Sequence, residues 1–396
     1  MLKTVQSNNK YIRMGGNFLL FILMFIVMLD PTNSVLHLKN LAFVALLGYS
    51  IVFYKPVLDY LPYIIMPFVA IVFSYISATV MGNPVDVEFF MGTIKGFSML
   101  LLLLWVPYYN VLKITKITSL ILSIVASILF ILVMSNELIE AAVFTYVCSH
   151  DDMIMMSHRS FLGINVYGMY YKSLISTILP FYLYCYALFV ERKHVFWNSI
   201  AVIFITFSFA ITGTRSTMLL PIAMIVLAAF QGARHTKWMK MLLYPLLFVG
   251  VMGFLVLVYK LATEKGETSN MIKYAHLASY ARQFYYYPEY YIWGQGAGSW
   301  IYSAGFRSVV TQTEWTYIEL FRMLGLATLL VLTTLAYPLY AMRRYVRVEF
   351  TLGIAIAYIM FLFISGTNPL LVSSTGMAVV LMGYAYVYSL RPKKLE

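Results

Sequence analysis

The sequence predicts an all-α integral membrane protein with about 12 transmembrane helices. Of its 396 residues, 61% are hydrophobic and only 11% are charged, and the mean hydropathy is +0.80. A soluble domain is usually about 25% charged. A transmembrane helix needs about 20 apolar residues, and the chain contains roughly a dozen such runs. We therefore expect residues 1–396 to form a single polytopic membrane domain.

The apolar runs define the predicted spans in order. Short groups of basic residues separate many of them, which is typical of topology signals and not of a nucleic-acid groove. The net charge of +12 thus predicts no nucleic-acid partner. The predicted spans are 15–29, 35–54, 61–82, 94–112, 118–135, 165–190, 196–212, 216–231, 241–259, 315–340, 350–366 and 370–390.

The distribution of charge predicts the orientation. With the N-terminus inside, the inner connections hold most of the 28 basic residues and only four of the 16 acidic ones. This excess follows the positive-inside rule. Both termini are then cytoplasmic. Two long segments, 136–164 and 260–314, become outer loops, and we expect an interfacial helix in the second. Long loops on a membrane scaffold are commonly functional.

Gly213-Thr214-Arg215-Ser216-Thr217 is almost the entire connection between two predicted spans. Arg215 must therefore lie close to the outer membrane surface, at the N-terminal end of the next helix. One interpretation is an arginine that snorkels to the interface. The other is an anion clamp, because helix N-termini and guanidinium groups both bind phosphate.

His158 and Arg159 lead into the segment Gly163-Ile164-Asn165, just before the sixth predicted span. The segment is either a loop and cap or a second set of cationic and polar donors on the same cavity. His150, Asp151, Asp152 and His158 could bind a metal by composition alone. Their spacing matches no metal motif, so we predict a solvated loop and no metal.

The segment 271–300 contains seven tyrosines and two tryptophans. Aromatic belts at membrane interfaces explain some of them. Such residues also stack on sugar rings and bond to sugar hydroxyls, which makes Tyr280 and Tyr286 candidates for glycan binding. His276 and Arg282 are candidate cationic contacts in the same segment. The glycines at 294, 296 and 298 permit tight turns, and no βαβ unit frames them as a dinucleotide site.

The tenth predicted span begins near Glu314. A partly desolvated carboxylate at the lip of a helix is a plausible general base. Tyr317 follows on the first turn. Glu319 and Arg322 are three residues apart, so we expect them to neutralise each other within the membrane.

These segments resemble the superfamily of bacterial O-antigen ligases and O-antigen polymerases over residues 155 to 375. The similarity comprises the Arg-x-x-x-Gly-x-Asn stretch at 159–165, the Gly-Thr-Arg-Ser turn at 213–216, the Pro-x(5)-Gly-x-Gly-x-Gly loop at 288–298 and the helix entry at 314–325. The resemblance implies a GT-C-like fold and a metal-independent inverting glycosyltransferase without cofactors. It implies a polyprenyl-diphosphate-linked glycan as donor, with Arg159 and Arg215 on the diphosphate.

The resemblance further implies the bacterial cytoplasmic membrane, an outward-facing site, contact with membrane lipid, and a chain-length regulator and a flippase as partners. Ligases commonly carry a His-Asn pair where this chain has Glu314-Trp315, which favours a polysaccharide polymerase. The alternatives are an O-antigen ligase acting on lipid A core, a transporter of lipid-linked oligosaccharide, and a non-catalytic scaffold. Major-facilitator transporters place a long loop inside between spans six and seven, whereas that connection is short here.

Overall fold

A computed structural model describes residues 10–149, 154–161, 164–233 and 268–391. These residues are mostly helical, in keeping with an all-α membrane protein. The α-helices in chain order are α1 (Lys10–Leu29), α2 (Lys39–Phe53), α3 (Leu61–Val80), α4 (Val87–Ser98), α5 (Val111–Ser135), α6 (Glu137–Ser149), α7 (Ile178–Phe189), α8 (Val195–Ala210), α9 (Arg215–Ala233), α10 (Thr268–Tyr286), α11 (Tyr290–Trp293), α12 (Thr316–Leu324), α13 (Thr328–Met342), α14 (Glu349–Ser365) and α15 (Ser374–Ser389).

Within the described ranges, two antiparallel hairpins interrupt the helices. β1 (Ile154–Phe161) pairs with β2 (Ile164–Tyr171), and β3 (Ile301–Ser303) pairs with β4 (Ser308–Val310). Short 3-10 segments extend or link several helices, at Leu58–Tyr60, Met99–Tyr108, Lys172–Thr177, Gly325–Ala327 and Arg343–Tyr345.

Six helical segments among the described residues are long and apolar enough to cross a membrane. They are Lys10–Leu29, Leu58–Val80, Val87–Tyr108, Val111–Ser135, Lys172–Phe189 and Thr316–Tyr345. Four shorter helical segments are also apolar, at Lys39–Phe53, Val195–Ala210, Thr217–Gly232 and Glu349–Ser365. Apart from 165–190 and 241–259, each predicted span lies mainly on helical segments. The span predicted at 241–259 lies outside the described residues.

The prediction of a helical span over 165–190 is wrong in its first half. Residues 164–171 form strand β2, and α7 begins only at Ile178. The sequence Ile164–Tyr171 is rich in β-branched and aromatic residues, which favour a strand. Its apolar composition resembles that of a helix, so hydropathy alone could not separate the two. The predicted outer loop 136–164 likewise contains regular structure, namely α6 and β1.

One end of the helical bundle carries many basic residues, and we call it the basic end. There the hydroxyls of Tyr49 and Tyr54 donate to the carbonyl of Ile12, and the Asn110 amide donates to Asn17 Oδ1 at 2.8 Å. These contacts bring together the start of α1, the end of α2 and the start of α5. The described basic residues at or near this end are Lys10, Arg13, Lys55, Lys113, Lys116, Arg192, Lys193, Arg343, Arg344, Arg347 and Arg391.

The opposite end carries the β1–β2 hairpin, and we call it the hairpin end. Tyr171 donates its hydroxyl to the carbonyl of Leu29 at the end of α1. Thr375, in the first turn of α15, donates to the carbonyl of Val27 at 3.2 Å. The amide of Thr316 donates to Gly366 at 3.0 Å, just beyond the end of α14. The hairpin and the start of α12 therefore belong to the same end of the bundle.

The core surrounds α15. Residues Met377 through Met382 of this helix are completely buried, and the largest cluster of buried apolar side chains includes residues from most of the other helices. A central helix enclosed on all sides needs no polar face. This core fixes the helix ends on which the candidate site is built.

Candidate functional site

The β1–β2 hairpin carries three of the predicted site residues. In its register, Arg159 pairs with Val166 and Ser160 with Asn165, while His158 pairs with Tyr167. The side chains of His158, Arg159 and Asn165 lie outside what the structure describes. Their backbone positions nevertheless show that all three belong to one antiparallel ladder above the end of the helical bundle.

The hairpin packs directly on the connection between α8 and α9. The amide of Met169 donates to the carbonyl of Ile211 at 2.7 Å. A β carbon placed on Gly168 would lie 3.0 Å from the Cα of Gly213. Gly168 pairs with Ser157, two residues before Arg159 along β1. Strand β2 therefore lies against the turn that leads to Arg215, and β1, which carries Arg159, is its partner in the hairpin.

The turn at 212–217 is closed by its own hydroxyl groups. Gly213 has φ of +62°, a conformation that glycine adopts without strain. The hydroxyls of Thr212, Thr214 and Thr217 are hydrogen-bonded to one another, and Thr217 also donates to the carbonyl of Thr214 at 3.0 Å. α9 begins at Arg215. The side chain of Arg215 lies outside the described set. The threonine hydroxyls thus stabilise the turn that starts α9.

A buried polar network joins the Tyr-rich segment to α12. Arg322 is completely buried and forms an ion pair with Glu319. Its guanidinium also donates to the Gln295 side chain and to Ser299 Oγ, the latter at 2.9 Å. Tyr280 donates its hydroxyl to Glu319. The expected neutralisation of Glu319 by Arg322 agrees with this geometry.

Tyr280 takes part in this network and does not face an open cavity. Its side chain is 2% exposed, and its hydroxyl also bonds to Thr313 Oγ1. The sequence predicts a sugar contact at Tyr280, and its placement favours a structural role instead. Tyr317 likewise donates its hydroxyl to the carbonyl of Leu362 at 2.8 Å, between α12 and α14.

His276 is completely buried beneath the β3–β4 hairpin. Its Nδ1 is 2.8 Å from Ser303 Oγ, and its ring lies edge-on to that of Phe306. Nε2 is also buried and has no hydrogen-bond partner among the described residues. Burial lowers the pKa of His276, while the carboxylates of Glu314 and Glu319 raise it. Because desolvation is the larger effect, the neutral imidazole is favoured.

Glu314 lies near His276 at the start of α12 and forms an ion pair with Lys273. The Glu314 Oε2 and Lys273 Nζ atoms are 3.7 Å apart, and each side chain is about one-third exposed. The ion pair is therefore reachable from solvent. Lys273 was not among the residues predicted for the site. Its position two turns before Tyr280 gave no signal of this contact in the sequence alone.

Arg282 and Tyr286 lie on an exposed aromatic surface. The guanidinium of Arg282 is 5.8 Å from the centre of the Tyr286 ring, which is 61% exposed. On the same segment, the Trp293 ring lies 5.8 Å from that of Phe73, a partly exposed residue of α3, in a tilted arrangement. Aromatic rings beside the exposed apolar flank of a membrane helix are typical of an interfacial belt.

The predicted residues thus fall into three sets in the structure. The first comprises the hairpin and the start of α9. The second comprises the buried His276 and the partly exposed Glu314 with its partner Lys273. The third is the exposed pair Arg282 and Tyr286. No group of three or more His, Cys, Asp or Glu residues that could hold a metal is found in the described part of the chain. Residues 150–152 lie outside it.

Comparison with protein-family models, with curated proteins and with solved structures finds no match for this chain. The functional proposal therefore rests on the geometry of the hairpin end and on the resemblance seen in the sequence.

Proposed function

We propose that the protein is a polysaccharide polymerase of the bacterial cytoplasmic membrane. It transfers a glycan from a polyprenyl diphosphate to a lipid-linked repeat unit at the outer face. The single observation that supports this most strongly is the packing of Gly168 against Gly213. This contact brings the hairpin, whose other strand carries Arg159, against the turn from which α9 begins at Arg215.

In this mechanism, a hydroxyl oxygen of the acceptor attacks the anomeric carbon of the donor. The bond between that carbon and the diphosphate oxygen breaks, and the polyprenyl diphosphate leaves with the electron pair. Arg159 and Arg215 stabilise the negative charge that develops on the leaving group, which is commonly the largest catalytic contribution. The N-terminus of α9 adds a partial positive charge at the same place.

Glu314 receives the proton of the attacking hydroxyl. Its exposure of about one-third and its ion pair with Lys273 suit a carboxylate that an acceptor can reach. Asn165 and His158 contribute polar contacts to the two substrates, whereas the buried His276 supports the segment next to Glu314. Arg282 and Tyr286 offer an exposed cation and ring for the growing glycan, because sugars stack on aromatic faces.

The hairpin end faces outward in this proposal. The basic end then lies in the cytoplasm, as the positive-inside rule requires. The activated donor carries its own leaving group, so the reaction needs neither a nucleotide nor a cofactor.

The test is an assay with the purified full-length protein and a chemically defined lipid-linked repeat unit. A ladder of lipid-linked products on a gel supports polymerase activity. A parallel reaction contains lipid A core as a second acceptor. Transfer to the core without a ladder would instead identify a ligase, and movement of the substrate across proteoliposomes without any covalent product would identify a transporter.

A further inference from the structure

An apolar cavity of about 370 Å³ lies beside the base of the β1–β2 hairpin. Ligand pockets commonly measure about 300–1,000 Å³, so the cavity is large enough to hold part of a small molecule. The wall is formed by α5, α6, the β1–β2 hairpin and the end of α1. The lining residues are Leu29, Leu122, Val125, Ala126, Leu129, Ala142, Val143, Tyr146, Ile154, Met169 and Tyr171.

The cavity sits where the helical bundle ends. Met28, one residue before the end of α1, contacts Ser119 of α5 through atoms 3.8 Å apart. α5 continues from there to Ser135, so the part beyond Leu122 adds roughly 20 Å of helix at 1.5 Å per residue. α6 then folds back along α5, and the cavity lies between them. In the orientation proposed above, this position lies near the outer boundary of the apolar layer.

The cavity is open to the outside. Val125 on α5 is 43% exposed, and Ala142 on α6 is also exposed. The hydroxyl of Tyr171 is bonded to the carbonyl of Leu29 and is therefore not offered to a ligand. A sugar would lose hydrogen bonds to water in such a site without replacement, which is unfavourable. The lining instead suits a hydrocarbon chain.

Strand β2 connects the cavity to the proposed diphosphate site. Met169 lines the cavity, and its amide donates to the carbonyl of Ile211 in the turn before α9. From Met169 to Val166, which pairs with Arg159, β2 runs for roughly 10 Å at 3.3 Å per residue. An amphiphile with its charged group near Arg159 and Arg215 could place the first part of its chain in the cavity.

We propose that this cavity binds the isoprenoid units next to the diphosphate of the lipid-linked substrate. The inference rests on the proposed function, since it names the place where that function's substrate is held by its lipid. The proposal requires that polyprenyl diphosphate occupy the cavity in preference to the surrounding phospholipids.

The experiment uses the full-length protein in nanodiscs and a polyprenyl diphosphate that carries a photoreactive diazirine in its second isoprene unit and no sugar. After irradiation, mass spectrometry locates the labelled residues. Labels on α5 and α6 residues of the cavity wall, reduced by unlabelled polyprenyl diphosphate and not by phosphatidylglycerol, support the proposal. Equal competition by the phospholipid would identify an ordinary lipid contact and overturn it.

Two matched pairs of variants complete the test. Ala142→Phe fills the cavity, whereas Ala141→Phe adds the same side chain at the neighbouring exposed position, which does not line it. Val125→Trp and Ile128→Trp form the second pair on α5. We expect cavity labelling to fall roughly tenfold in the first member of each pair, equivalent to about 1.4 kcal/mol of binding free energy. Equal labelling within both pairs would overturn the proposal.

The outcome for the cavity is separable from that for the proposed function. If the cavity is labelled specifically in a protein that makes no polymer, the isoprenoid site is supported and the polymerase function is rejected. Polymer formation that is unaffected by Ala142→Phe and Val125→Trp would retain the polymerase and reject the site.

Discussion

Gly168 of the β1–β2 hairpin and Gly213 of the α8–α9 turn pack backbone against backbone. A β carbon on residue 168 would lie 3.0 Å from Gly213 Cα and 3.3 Å from the carbonyl oxygen of Thr212. The approach is so close that only glycine fits at position 168 without a shift. This contact joins β2, the hairpin partner of the strand that carries Arg159, to the turn from which α9 begins at Arg215.

Replacing Gly168 with alanine should separate the hairpin from the turn. The added methyl group meets backbone atoms, which cannot move aside as a flexible side chain does. We expect polymer formation by the purified protein to fall at least roughly tenfold, which corresponds to about 1.4 kcal/mol in the activation free energy. Gly48→Ala is the control, because nothing lies within 4 Å of a β carbon there. Equal activity of the two variants would show that the hairpin contact is not needed for catalysis.

Replacing Arg322 with methionine should destabilise the protein strongly. The change leaves the carboxylate of Glu319 buried without its ion-pair partner, and breaking a buried pair in this way typically costs about 3–5 kcal/mol. We expect a large decrease in the thermal unfolding temperature of the detergent-purified protein. Arg282→Met, at an exposed position, should change stability by about 0.5 kcal/mol or less. A similar unfolding temperature for both variants would contradict the structural role of the Glu319–Arg322 pair.

His276 should make the stability depend on pH. Burial lowers the pKa of its imidazole in the folded protein. In the unfolded chain this imidazole binds a proton at about pH 6.5, whereas in the folded protein it does so only at lower pH. The stability contributed by the neutral ring is present above pH 6.5 and is lost as the pH falls below it. Thermal unfolding between pH 7.5 and pH 5, at roughly half-unit steps, measures this loss.

The matched variants are His276→Gln and His37→Gln, the second at an exposed position. We expect the first to flatten the decrease in unfolding temperature on acidification and the second to leave it unchanged. An unaltered profile in His276→Gln would assign the acid sensitivity to other groups.

Glu314→Gln should lower the turnover number and leave substrate binding largely intact. The amide keeps the shape of the side chain but does not accept the proton of the attacking hydroxyl. General-base catalysis contributes about 10²–10⁴-fold, so we expect a loss of that order in kcat. Lys273→Met tests the ion pair separately, because it removes only the partner of Glu314. A kcat that stays at the wild-type value in Glu314→Gln would remove Glu314 from the reaction.

The helices were predictable because an apolar run long enough to cross a membrane leaves few other structures open to the chain. The buried pair of Glu319 and Arg322 was predictable for a related reason, since charges three residues apart on such a helix must neutralise each other. The β1–β2 hairpin was not predicted. Six of the eight residues of Ile164–Tyr171 are hydrophobic, and overall hydropathy does not report the period of the backbone.

The candidate site was only partly predictable. The start of α9 at Arg215 follows from the short connection between two apolar runs. The burial of Tyr280 and His276 could not be predicted from the sequence, because the Tyr-rich segment shows no clear periodicity that separates an inner from an outer face. The contact between Gly168 and Gly213 also escaped sequence analysis, since residues far apart in the chain meet there through backbone atoms alone.

The central claim is that the guanidinium groups of Arg159 and Arg215 hold one diphosphate. A double-mutant cycle on polyprenyl diphosphate binding tests it most directly, with the purified wild-type protein, Arg159→Ala, Arg215→Ala and the double variant. We expect each single change to weaken binding at least roughly tenfold. Because the two side chains share one ligand, the double change should weaken binding by clearly less than the product of the two single fold-changes. Effects that multiply independently, or wild-type affinity in either single variant, would contradict the shared diphosphate site.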